Sequence, residues 1–370
     1  IDILRELNNI DQSFHLGGGK ICMENAWINF TGEISPVNNY KDLYKDKVGI
    51  MATAGPSLLK DIEVIKANRD KIVLICAGST IMTLRKYDIV PDFLVIIDPF
   101  EVSTAEIKPY GDPRVTLVHG LQANRDVTSN WPGPKILYAS TFDKKTIKDA
   151  EFIDEILTNS TVSTTSFHFA QYLGCNPILL TGLDCVYAAD GQTHADNRPN
   201  QSNKDFRRFI TMPDGTERAT EIALKDTWDY FNTVIPRVPS KVYNCSDGGA
   251  PIEGAEFLSM KDFIFDKPIS VELKHSKSVF INQRDLKKIK KNLNELRQKV
   301  TGYKNKLNDI NPPDDKFISW FEQIQSHPTY VYLDVYIGWV FYLCDNHLQT
   351  LNELLQTIDH FETIINNLKL

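Results

Sequence analysis

Several functions are each missing something they require in this sequence. The six cysteines (Cys22, Cys76, Cys175, Cys185, Cys245 and Cys344) include no C-x-x-C pair. In a chain of 370 residues that reads as free thiols in a reducing compartment, not as a disulfide framework. The formal net charge is -7, so there is no overall basic excess of the kind that broad nucleic-acid binding uses. A local basic pocket for one anionic ligand remains compatible with it. The nearest candidate for a membrane span, Tyr330 to Cys344, falls short of the ~20 apolar residues a helix needs and contains Asp334. Ile1 to Asn9 is polar, broken by charge and without an initiator Met, which is no secretory signal. No G-x-S-x-G, H-E-x-x-H or D-F-G is present, and Leu16-Gly17-Gly18-Gly19-Lys20 lacks the spacing of a P-loop. The expectation is a soluble, cytoplasmic protein.

What is there is an ordinary globular balance, 42% hydrophobic and 24% charged. The pattern predicts three parts. Residues 1–45 are mixed and read as an N-terminal extension or the remnant of an N-terminal domain. Residues 46–282 carry an α/β signal. Residues 283–370 show helical patterns only, among them the charged Lys287 to Leu307, and read as a separate helical module. Its basic run, Lys287 to Lys291, fits a solvated face. Its aromatic stripe, Tyr332, Tyr336, Trp339 and Tyr342, fits either a bundle core or a partner or dimer contact.

Within 46–282, short apolar runs alternate with amphipathic stretches. Val48 to Ala52, Ile72 to Ala77, Pro91 to Asp98, Val115 to His119, Lys135 to Ala139 and Pro177 to Thr181 read as buried strands. Leu58 to Asn68 places Leu58, Ile62 and Ile65 on one helical face, and Thr80 to Tyr87 and Val162 to Leu173 read as further helices. That alternation predicts a Rossmann-like, mostly parallel sheet with helices on both faces. Tyr187 to Arg218 loses all periodicity and reads as a long polar loop of the kind that serves as a lid or binding loop. A helix over Glu217 to Ile235 and a last strand at Lys241 to Asn244 follow.

Chemistry-bearing residues collect at predicted strand ends. Gly55-Pro56-Ser57 joins a strand to a helix. Gly55 would let the backbone approach a ligand, Pro56 suits a first helical turn, and the helix N-terminus offers unpaired N–H groups to an anion. A plain turn with a Ser cap fits the local sequence equally well. Asp98 and Asp184 each end a strand, where open α/β sheets bind ligands. They suit hydroxyl recognition, metal ligation or base chemistry, or else cap a turn. Ser163-Thr164-Thr165-Ser166 exceeds what one N-cap requires. His194 and a group of arginines, Arg198, Arg207, Arg208 and Arg218, fall in or beside the polar loop. A general base and an anion-binding fork are their functional readings; solvated surface is the plain one.

An ordered set of motifs adds to this reading. It runs Ala54-Gly55-Pro56-Ser57-Leu58, Pro91-Asp92-Phe93 with Asp98-Pro99, Leu173-Gly174-Cys175-Asn176-Pro177, Gly182-Leu183-Asp184, Gly191-Gln192-Thr193-His194-Ala195, and Asn244 with Gly248-Gly249-Ala250-Pro251-Ile252-Glu253-Gly254. Over roughly residues 40–260 this resembles the central domain of the bacterial motility accessory factors, which are flagellin glycosyltransferases. The same domain family is known as 6-hydroxymethylpterin diphosphokinase-like. More distantly it is similar to bacterial sialyltransferases. That resemblance implies a CMP-sugar donor bound by Gly55, Pro56, Ser57, Thr164 and Thr165, with Tyr187 one residue displaced from the sialyltransferases' phosphate-contacting Tyr; the strand-end and loop reading adds Asp98 to the donor site and Asp184 and His194 to catalysis, although no motif aligns His194 with the sialyltransferase base. It implies transfer of a nonulosonic acid to Ser or Thr of flagellin with no required cofactor or metal, and a homo-oligomer through the helical module is compatible. The alternatives are an ATP- and Mg-dependent diphosphokinase of a pterin alcohol, with Asp98 and Asp184 as metal ligands, and a non-enzymatic nucleotide-sugar-binding flagellin adaptor.

Overall fold

A computed structural model describes residues 19–31, 35–105, 107–140, 153–158, 161–195, 208–266, 268–271 and 283–309, with Ser319 and most positions between 351 and 366. Arg198, Arg207, the aromatic stripe of 332–342 and the Gly17-Gly18 turn lie outside the described residues.

The predicted parallel sheet is present. It contains β1 (Gly49–Ala52), β2 (Val73–Ala77), β3 (Phe93–Ile96), β4 (Thr116–Gly120), β5 (Lys135–Tyr138), β6 (Ile178–Thr181), β9 (Val242–Asn244) and β10 (Glu256–Phe257). Their spatial order is β10-β9-β6-β1-β2-β3-β4-β5, and every neighbouring pair runs parallel. The chain winds outward from β1 to β5, returns to place β6 beside β1, and then winds the other way. The order therefore reverses between β1 and β6, and a sheet of this kind opens its ligand crevice at that reversal, outside the carboxyl ends of the strands.

The strands read as continuous apolar runs because both faces are covered. Alternate residues enter two cores: Met51, Val73, Ile75, Phe93 and Val95 face one side, and Ile50, Ala52, Leu74, Cys76 and Leu94 the other. The first face is covered by α1 (Gly19–Thr31), α6 (Val162–Tyr172) and α7 (Ile222–Val234), which contribute Trp27, Phe30, Phe169 and Phe231. The second is covered by α2 (Leu58–Ala67), α3 (Thr80–Lys86) and α5 (Arg125–Asn130), with α4 (Glu101–Thr104) at the end of β3. Leu58, Ile62 and Ile65 of α2 are buried together as their spacing predicts. Among the described residues, five cysteines are free and buried.

Three expectations are corrected. The polar stretch is not structureless up to Arg218. Arg208–Thr211 (β7) and Glu217–Thr220 (β8) form an antiparallel hairpin, closed by Asp214 and Gly215. Gly215 takes φ +82°, and the Asp214 carboxylate accepts Thr216 N–H at 2.9 Å. An Asp-Gly pair is a hairpin signal, and here it follows Ile210-Thr211 and precedes Thr216, so this element was legible. The following helix consequently starts at Ile222, not Glu217. The strand at Lys241 to Asn244 is not the last, because β10 adds to it.

Toward the C-terminus, α8 (Gln283–Asp309) buries Leu293, Leu296 and Val300 in a cluster that includes Leu351, Leu354 and Ile358. Arg297 joins them by ion pairs to Asp359 at 2.6 Å and Glu362 at 2.7 Å. Lys287, Lys288 and Lys291 are exposed, as a solvated face requires. No helix among the described residues is long and apolar enough to cross a membrane.

Candidate functional site

The turn after β1 is built against the turn after β6. Gly55 N–H donates to Gly182 O at 2.9 Å. A Cβ on Gly55 would stand 2.2 Å from Gly182 O and 2.6 Å from Asp184 Oδ2. The glycine is thus required by the neighbouring turn. Gly182 is locked in turn: it has φ +70°, and a Cβ there would meet Thr53 O at 2.1 Å.

The N-terminus of α2 also differs from expectation. Ser57 N–H donates to Asp184 Oδ2 at 2.9 Å. Leu58, Leu59 and Lys60 N–H groups donate to Gly55, Pro56 and Ser57 carbonyls at 3.1, 3.2 and 3.0 Å. The donors expected to await a phosphate are used within the fold, and the Asp184 carboxylate occupies the anionic place that a helix N-terminus favours. Ser57 makes no side-chain cap. What remains open are side-chain atoms: Ser57 Oγ and Asp184 Oδ1 are buried without a hydrogen-bond partner. Burial pushes the Asp184 carboxyl above its ordinary range, against the hydrogen bond from Ser57 N–H.

Asp184 is further held by the loop after β9. Ala250 N–H donates to Asp184 O at 2.8 Å, and Leu183 N–H to Ser246 Oγ at 2.9 Å. Asn244 shapes this loop by accepting from Ser246 N–H at 3.0 Å and donating to Ala250 O at 3.1 Å. Gly249 packs so closely that a Cβ would lie 2.9 Å from Asp184 Cα.

The N-terminus of α6 reaches the same edge of the sheet beside β2, where Val162 Cγ1 lies 3.4 Å from the Cβ position of Gly78. Its N-cap is Thr161, not one of residues 163–166 as expected. The hydroxyls are nearly all spent locally. Ser163 Oγ pairs with Thr161 Oγ1 at 2.9 Å, Thr164 donates to Thr161 O at 2.6 Å and Ser166 to Val162 O at 2.8 Å. Thr165 Oγ1 alone among them is buried without a partner.

The loop 187–195 rests on the β1 turn, with Ala195 N–H donating to Ala54 O at 2.7 Å. Half-buried His194 pairs through Nδ1 with Thr193 Oγ1 at 2.9 Å. Tyr187 donates its hydroxyl to Glu221 at 3.1 Å, at the cap of α7. Gln192, which the sequence reading did not single out, has a buried Oε1 with no partner. No local pattern announces it.

Asp98 stands apart. It is exposed at the end of β3, and β1 and β2 lie between β3 and β6. Three strand spacings, about 14 Å, separate it from Asp184, so the two carboxylates do not share one metal ion. Its loop is clamped from α1. Asn25 Nδ2 donates to Pro99 O at 3.0 Å and Gln122 O at 3.1 Å, and Asn29 Nδ2 to Leu121 O at 2.7 Å and Ala123 O at 2.8 Å.

Beneath the site, Thr181 donates to the buried Asp61 Oδ2 at 2.6 Å. Burial pushes the Asp61 carboxyl up from 3.8 to about 6, although the Thr181 hydrogen bond opposes it. A raised value means that the fold favours the neutral acid. The Asp61 contribution is then complete below about pH 4 and is lost as pH rises through about 6. Asp61→Asn is expected to stabilise the protein by about 1–3 kcal/mol at pH 8 and to give no gain at pH 4. Urea unfolding at the two pH values checks this, and an equal change at both would refute it.

Residues 23–190 match the family described as 6-hydroxymethylpterin diphosphokinase MptE-like. Among curated proteins, one of Treponema pallidum (strain Nichols), described only as uncharacterised, is 31% identical over 101 residues, 26% of this chain and 45% of that protein. Among solved structures, the MAf glycosyltransferase from Magnetospirillum magneticum AMB-1 superposes with a TM-score of 0.56 at 18% identity, over 94% of this chain and 58% of that one. The chain therefore spans about half the length of these relatives. Residues 23–190 are thus similar to the MptE-like family, and the chain's fold is similar to that of the MAf glycosyltransferase.

Proposed function

We propose that this chain is a glycosyltransferase that moves a nonulosonic acid from a CMP-sugar donor to Ser or Thr hydroxyls of a protein acceptor, flagellin by its family resemblance, in the cytoplasm. One observation carries the reading. Ser57 Oγ, Thr165 Oγ1, Asp184 Oδ1 and Gln192 Oε1 are buried without partners, and all four belong to segments at the carboxyl edge near the reversal in strand order. Buried polar atoms are nearly always satisfied, so four orphans on one edge suit a polar ligand seated among them.

In this reading the phosphate lies between Ser57 and Thr165 and the nucleoside extends toward β3. Asp98, two strand spacings or about 10 Å from β1, is then within reach of the ribose. The acceptor oxygen attacks the anomeric carbon, and the bond from that carbon to the phosphate oxygen breaks. CMP leaves with the bonding electron pair, and the hydroxyl proton passes to His194. Asp184 accepts from Ser57 N–H and so fixes the Ser57 hydroxyl beside the leaving phosphate. No cofactor or metal is required.

The family description favours a second reading, pyrophosphate transfer from ATP. A magnesium ion held jointly by Asp98 and Asp184 does not fit their separation, so no step is derived through one.

Calorimetric titration separates the two readings. CMP is expected to bind without metal, and Ser57→Ala and Thr165→Ala are each expected to weaken it by about 5- to 30-fold, the loss of one hydrogen bond to a charged oxygen. ATP binding that needs Mg²⁺, with no response to CMP, would overturn the proposal. Unchanged CMP affinity in both variants would overturn the site.

A further inference from the structure

The arginines beside the polar loop have no role in the site as described so far, and the hairpin gives them a direction. In β7–β8, Arg208 stands opposite Thr220, and Ile210 opposite Arg218. Residues directly opposite share a face. Ile210 and Thr220 are 2% and 0% exposed, whereas Phe209 on the other face is 56% exposed. Arg208 and Arg218 therefore belong to the inward face of the hairpin. That face rests on the residue after Asp184, because Thr220 Oγ1 donates to Cys185 O at 2.6 Å.

Lys60, in the first turn of α2, meets Arg218 there. Its Nζ donates to Asp247 O at 3.0 Å, and Arg218 Nη1 donates to Gly248 O at 3.0 Å. Lys60 Nζ and Arg218 Nη1 lie 3.9 and 4.0 Å from the Cβ position of Gly248, which keeps the two cations within about 8 Å of each other. The adjacent Gly249 packs on Asp184. The carboxylates facing this cluster are Asp247, paired with Lys60 at 2.7 Å, and Asp214, whose carboxyl Arg218 helps hold down. Lys60 and Arg218 thus flank the Gly248-Gly249 turn that packs on the Asp184 backbone.

The geometry points to a second anion subsite, formed by Arg208, Arg218 and Lys60, that selects donors carrying a carboxylate on the transferred sugar. This rests on the CMP-sugar reading and deepens it. The phosphate sits at Ser57, and Lys60 is one helical turn along α2. A carboxylate on the anomeric carbon, one bond from the phosphate oxygen, falls between them and the hairpin. Arg supplies the planar fork that a carboxylate accepts in two hydrogen bonds. A neutral sugar leaves those donors unmet.

The test is titration of the full chain with CMP, CMP-N-acetylneuraminate and CDP, in the unaltered protein and in Arg208→Ala, Arg218→Ala and Arg218→Lys. Thermal melting shows whether each variant is folded, and Arg218→Lys keeps the charge while removing the fork. Arg218→Ala is expected to weaken CMP-N-acetylneuraminate about tenfold or more while CMP changes less than about twofold. Arg208→Ala and Arg218→Lys should show the same selectivity with smaller losses. Equal losses for CMP and the sugar nucleotide would overturn the subsite by assigning the cations to the first phosphate. A loss confined to CDP would assign them to a second phosphate, and no loss at all would return them to solvated surface. If the unaltered protein binds none of the three, the CMP reading itself fails and the subsite with it, a result distinct from any outcome of the variants.

Discussion

Alanine at Gly55 is expected to cost the fold roughly 3 kcal/mol or more, the range of severe single substitutions. The added carbon would stand 2.2 Å from the Gly182 carbonyl oxygen and 2.6 Å from Asp184 Oδ2, distances that no Cβ tolerates. Neither neighbour can yield cheaply. Gly182 is itself wedged on Thr53 O with a left-handed φ, and Asp184 is tied to Ser57 N–H and Ala250 N–H. Relief requires parting the turns after β1 and β6, which dismantles the candidate site along with the packing. Gly191→Ala is the control. It has φ +84° with nothing within 4 Å of its Cβ position, so only backbone strain of about 1 kcal/mol is expected. Urea unfolding of the two variants checks the contrast. A Gly55→Ala protein within about 1 kcal/mol of the unaltered one would show that the two turns are not mutually wedged.

His194→Ala is expected to lower the turnover of sugar transfer by about 10²- to 10⁴-fold, the usual contribution of a general base, while CMP affinity stays the same. The histidine is placed by its neighbours. Ala195 N–H holds the loop to Ala54 O at 2.7 Å, and Thr193 Oγ1 lies 2.9 Å from Nδ1. The tautomer that donates Nδ1–H to Thr193 makes Nε2 the basic atom. Steady-state transfer from CMP-N-acetylneuraminate to a Ser/Thr peptide, beside calorimetric CMP binding, separates the two effects. Near-normal turnover would remove His194 from the mechanism. Loss of CMP binding in parallel would make it a binding residue instead.

The sheet was readable because its strands are buried on both sides, so β1 to β3 and β6 appear as nearly unbroken apolar runs. The hairpin went unread because its inner face holds only Ile210, Thr220 and two arginines, too few apolar residues to show an alternation. Asp214-Gly215 was its one clear mark. Among the candidate residues, Ser57, Asp184 and Thr165 stand near strand and helix ends, where the local pattern places them. It could not say which polar atoms the fold would leave unpaired. Thr164 and Thr165 are adjacent hydroxyls of the same type, yet helix geometry aims one at Thr161 O and leaves the other buried alone.

The local sequence determined the α/β alternation, the amphipathic face of α2 and the collection of chemistry at strand ends, since burial on two faces and helical periodicity are short-range consequences of residue type. Strand order was decided only by the tertiary structure. Setting β6 beside β1 brought Asp184 to the Gly55-Pro56-Ser57 turn across 127 residues of chain. The same order left Asp98 three strands away, although both aspartates had looked alike as strand-end carboxylates. That pairing is a property of the winding reversal, which no stretch of the chain encodes by itself.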